Sequence, residues 1–99
     1  MLTYEKICEV FSDLFEKDES IEVIKLKKGY YIVNWMSQIQ RYDIGCLCKT
    51  LDELLDQIVL YYVSFFDAYY KSSTNDNKDE NQGYFKKIAE EKRNQCRQN

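Results

Sequence analysis

The side chains able to do chemistry in this chain are four cysteines, two groups of carboxylates and a cationic C-terminal segment. Cys46 and Cys48 form a C-x-C pair, and in a strand that spacing puts both thiols on one face. It is not the C-x-x-C of zinc ribbons, and the sequence holds no histidine to complete a mixed site. Cys8 and Cys96 lie far from the pair in sequence. The first residues lack the basic start, apolar run and small-residue cleavage site of an export signal. Free thiols packing as small hydrophobes are therefore expected, with no metal, no cofactor and a cytoplasmic location. Asp52, Glu53 and Asp56 cluster at a helix start, where capping and a solvated face explain them. Without histidine the commonest general base is missing. Glycines at 29, 45 and 83 alone cannot build a phosphate-cradling loop. A binding protein is expected, not an enzyme.

Three surfaces offer themselves for binding. Glu5, Glu9, Asp13 and Glu16 fall within roughly 80° of one helical wheel, a carboxylate ridge opposite Tyr4, Ile7, Cys8, Phe11, Leu14 and Phe15. Such a ridge is either a solvated face or a docking site for a basic groove. Lys86, Lys87, Lys92, Arg93 and Arg97 alternate with Glu90 and Glu91, which leaves little net field. The chain carries a net charge of −3, so direct nucleic-acid binding through that segment is a subsidiary reading. The third surface is Thr50 to Tyr70, which packs Tyr61, Tyr62, Phe65, Phe66, Tyr69 and Tyr70 into ten residues. Its apolar arc spans roughly 200°, twice the ~100° that a surface helix needs. Aromatic side chains are enriched at interface cores. An uncovered aromatic face around Tyr62, Phe66, Tyr69 and Tyr70, pairing with another protein or a second copy in a homodimer, is therefore expected.

The elements that must carry these residues can be read in order. Thr3 is an N-cap for a helix running to about Lys17, and Asp18-Glu19-Ser20 ends it. Ile21–Lys27 and Tyr30–Met36 read as a hairpin about Lys28-Gly29, with Tyr31, Val33 and Trp35 on one face and Tyr30, Ile32 and Asn34 on the other. A third strand, Tyr42–Cys48, follows a polar loop and should place Ile44, Cys46 and Cys48 together. Thr50-Leu51-Asp52-Glu53 is a capping box. The stretch Ser72–Gln82 has no apolar residue and is expected to be a flexible linker through residue 83. Tyr84, Phe85, Ile88 and Ala89 then supply a short amphipathic helix within residues 84–99, whose polar end should fray. The expected class is α+β: residues 1–71 form the compact domain, a three-stranded antiparallel sheet with helices on one face, in the order α-β-β-β-α-linker-α. No apolar run is long enough to span a membrane.

In element order alone, helix–three strands–helix–helix in a short acidic chain resembles some small phage-borne inhibitors, including certain anti-CRISPR proteins. The resemblance implies inhibition by occupying a nucleic-acid groove, a role for which the ridge on the first helix is available. It carries over no site residue. The leading expectation is a non-enzymatic interaction module that self-associates through the aromatic helix, with a regulatory or inhibitory role. Its rivals are an acidic inhibitor of a nucleic-acid-binding enzyme and an accessory nucleic-acid binder that uses the C-terminal basic segment.

Overall fold

Thr3 starts the first helix as its residue type requires: its Oγ1 accepts from the backbone N–H of Lys6 at 3.0 Å. The computed structural model describes residues 1–73 and 78–98, and their side chains except Ile44 and those from 71 to 82. Where one helix was expected there are two, α1 (Tyr4–Val10) and α2 (Ser12–Lys17), broken at Phe11. Local competition favours the break, because Asp13 Oδ1 accepts from the backbone N–H of Leu14 at 3.0 Å. A distant side chain completes it. Lys92 Nζ donates to the Val10 carbonyl at 2.9 Å, an acceptor that an unbroken helix would keep for itself. Phe11, at the break, is fully buried.

Asp18 then turns the chain, its Oδ1 accepting from the Ser20 N–H and hydroxyl, and leads into β1 (Ile21–Leu26). β2 (Gly29–Met36) and β3 (Arg41–Cys48) complete an antiparallel sheet in the order β1-β2-β3. Ile21, Val23, Tyr30, Ile32, Cys46 and Cys48 meet the helices. The register pairs Val33 with Ile44 but Ile32 with Cys46, so Gly45 is one residue too many for its partner strand. That bulge interrupts the strict alternation expected along β3. The glycine also sits in a tight space. A Cβ there would lie 2.8 Å from the Tyr61 hydroxyl and 3.1 Å from the Ile32 carbonyl oxygen.

Half of the capping box forms and starts α3 (Leu51–Ser73): Thr50 Oγ1 accepts from the Glu53 N–H at 3.1 Å, but Glu53 Oε2 accepts from the N–H of Lys49, one residue earlier than the box requires, at 2.7 Å. α4 (Lys78–Arg97) follows. Both helices enter the polar stretch expected as a linker, whose residues 74–77 lie outside the described ones. The last helix is longer than its apolar residues suggested, and its polar end is held in place. Cys96 is fully buried, Arg97 pairs with Asp52 at 2.9 Å, and Arg93 pairs with Asp56 and with Glu90.

All the helices lie on one side of the sheet. The chain is only 18 Å through its thinnest direction, the depth of one sheet and one helix layer. The core between the layers is centred on Ile7, Phe11, Leu14, Ile32, Leu54, Leu55, Ile58, Tyr62 and Phe66. No described helix is long and apolar enough to cross a membrane.

Candidate interaction surfaces

Strand pairing decides which side chains share a surface. Ile24, Tyr31 and Leu47 are direct cross-strand partners, as are Trp35 and Tyr42. Together with Leu26 and Val33 they occupy the face of the sheet turned away from the helices. Trp35 is 37% exposed, Leu47 45% and Tyr42 50%, while Val33 is buried beneath its neighbours. Trp35 and Tyr42 meet edge to face with ring centroids 4.9 Å apart. Glu22 is the one charged residue on this face among the described side chains, and its carboxylate accepts from the Tyr42 hydroxyl at 3.5 Å. Ile39 is exposed in the turn beyond β2. On the order of 600 Å² lies open here, at the top of the ~300–600 Å² that the largest patch on a monomer usually reaches.

The aromatic helix is placed otherwise than expected. Tyr62 and Phe66 are 3% and 6% exposed, so the predicted open face is closed from within at those two positions. α4 closes it. Phe85 stacks on Phe66 at 5.5 Å and on Tyr70 at 5.2 Å, and Ala89 is fully buried behind it. Tyr69 and Tyr70 remain on the surface with Tyr84. A cleft of about 430 Å³ beside them is lined by Asp13, Lys17, Tyr62, Phe66, Tyr84 and Ile88, among others.

The carboxylate ridge is also divided. Glu5, Glu9 and Glu16 are exposed, whereas Asp13, half-buried, is turned toward Tyr62 and Lys92. Its Oδ2 accepts from the Tyr62 hydroxyl at 2.8 Å, and its Oδ1 lies 3.5 Å from Lys92 Nζ. The ammonium of Lys92 also sits over the rings of Phe11 and Tyr62, 5.9 and 5.6 Å from their centroids. Burial pushes the Tyr62 phenol far above its ordinary value, and the hydrogen bond to Asp13 with its negative charge adds to this. A proton held that firmly ties helices together and is not poised for transfer near neutrality.

Of the five cations in the C-terminal segment, Lys92, Arg93 and Arg97 are engaged with carboxylates of α2 and α3, while Lys86 and Lys87 are exposed. The helix therefore spends most of its positive charge on docking. Cys46 and Cys48 share a face as their spacing implies, with sulfurs 3.9 Å apart. Burial, the hydrogen bond to Cys46 and the charges of Cys46 and Glu53 push the Cys48 thiol up to about 12. Burial likewise raises Cys8 and Cys96. No three metal-ligating side chains converge among the described residues.

The residues that make the open sheet face were visible as the alternation Tyr31, Val33, Trp35. That alternation does not mark them as a binding surface, because Tyr30, Ile32 and Cys46 are equally apolar in sequence. The usable signal was a central strand apolar on both faces in a chain with too few helices to cover two. The chain matches no known protein family, no curated protein and no solved structure.

Proposed function

We propose that this chain is a non-enzymatic protein-interaction module whose working surface is the open face of its sheet. The observation that supports this most is the surface of Ile24, Leu26, Trp35, Tyr42 and Leu47 around the half-buried Tyr31, exposed although every helix packs on the opposite side. Antiparallel sheets that face water normally carry polar residues there. Aromatic-rich, charge-poor patches are instead characteristic of interface cores. Relative to the expected interface on α3, the burial of Tyr62 and Phe66 moves the favoured contact surface to the other side of the molecule. A cytoplasmic setting belongs with this reading, since four unpaired thiols suit a reducing compartment.

A photo-crosslinking amino acid placed at Leu47, and separately at Glu9 on α1, tests the choice of surface in the source cell. Adducts are expected from position 47 and not from position 9. Adducts from position 9 alone would overturn the sheet-face reading in favour of the acidic ridge. The mass of the adduct at 47 reports whether the occupant is the chain itself.

A further inference from the structure

From the shape and charge of the open sheet face, and resting on the reading of that face as the working surface, we infer that its occupant is a second copy of this chain. The two sheets lie face to face about a twofold axis in the interface plane and perpendicular to the strands.

Area is the first argument. Two such faces would remove roughly 1,200 Å² in total, the lower bound for specific interfaces (~1,200–2,000 Å²). A small patch can reach that bound only if nearly all of it is used, which a flat surface meeting its own copy achieves. Sheets stack about 10 Å apart through apolar side chains. The 18 Å slab would then become a four-layer body with both sheets inside.

Charge is the second argument, and it selects the orientation. Lys27 and Lys28 form the β1–β2 turn, and Lys49 follows β3 at the same end of the sheet. Glu19 precedes β1 and Glu22 lies near the opposite end; Asp43 and Arg41, also at that end, alternate onto the helix side of the sheet. Lys27, Lys28, Lys49, Glu19, Glu22 and Asp43 are all exposed, and none forms an ion pair within the chain among the described residues. An axis along the strands would set lysines over lysines and carboxylates over carboxylates. An axis across the strands sets the lysine end of each copy over the acidic end of the other. Complementary rims fix the register of an association while the apolar centre supplies its affinity.

The purified full-length chain, followed by sedimentation equilibrium with circular dichroism as the check on folding, tests this. The wild type should be a monomer–dimer equilibrium. Reversing one end, as Lys27→Glu with Lys28→Glu or as Glu19→Lys with Glu22→Lys, should weaken the dimer about tenfold. Combining all four reversals in one chain should restore it, because each acidic end again faces a basic one. A chain that stays monomeric at high concentration overturns the inference. If position 47 still crosslinks to a different protein in cells, the sheet-face reading survives that failure. Dimers that ignore single reversals, or four reversals that do not restore association, overturn the antiparallel arrangement.

Discussion

Phe66→Ala should lower the stability of the fold by about 3–5 kcal/mol, and Phe66→Glu should leave the chain unfolded at room temperature. Phe66 touches more of the core's aromatic system than any helical wheel discloses. Its ring meets Tyr62 at 4.6 Å, Phe65 at 5.1 Å, Phe85 at 5.5 Å and Tyr70 at 6.4 Å. Truncation removes the wall that α4 leans on, since Phe85 stacks on this ring. The neighbours sit on two separate helices and cannot collapse freely into the space. A domain of this size has about 5–10 kcal/mol of stability, so the loss is a large fraction of the whole. Urea unfolding followed by circular dichroism measures it. A loss below about 1 kcal/mol would mean that α4 does not cover α3 in solution, and would return the aromatic helix to the surface.

The second large effect belongs to the other side of the molecule. Leu47→Glu should leave the folded chain nearly as stable as the wild type, because Leu47 is already 45% exposed on an edge strand. It should nonetheless raise the dimer dissociation constant by at least about a hundredfold. In the proposed dimer, twofold symmetry would place the new carboxylate in the interface twice, among Ile24 and Tyr31 of its own sheet and the facing apolar layer, without a cation on this face to meet it. Sedimentation equilibrium at matched concentrations reads the change. Phe66 and Leu47 thus separate two roles that aromatic and apolar content alone merges: one residue should hold the fold, and the other should hold the partner.

Much of the architecture was legible from residue type and spacing. Thr3 and Thr50 mark their helix starts because a side-chain oxygen must satisfy the first free N–H groups, and both do. The hairpin and the third strand follow from alternation bounded by turn residues, and the observed strands differ from the predicted ones by a residue at their ends. What local pattern could not disclose depends on residues far apart in the chain. The break at Phe11 is completed by Lys92, 82 residues from the Val10 carbonyl it binds, and Asp13 is drawn from the ridge by Tyr62, 49 residues away. The reach of α4 was obscured because part of its inner stripe is made of Lys92 and Cys96. The stem of a lysine and a thiol can be buried, yet neither looks hydrophobic in a polar segment. The bulge at Gly45 lies beside the Tyr61 hydroxyl, a contact with a residue of α3 that no pattern within β3 records.

The open sheet face was hidden for a different reason. β2 is apolar on both sides, and sequence pattern cannot say which side the helices will take. Only the packing of α1 to α4 onto Ile32, Cys48 and their neighbours leaves Trp35, Tyr42 and Leu47 outside.

Trp35 offers the most direct measurement, because it is the only tryptophan in the chain and it stands on that face. Its fluorescence can be followed with acrylamide as quencher through a dilution series spanning the dimer dissociation constant. Pairing through the sheet predicts that quenching rises and emission shifts to the red on dilution, along the same isotherm as the molecular mass. Quenching that stays constant while the mass halves would show that the copies meet elsewhere, and would contradict the sheet face as the surface of association.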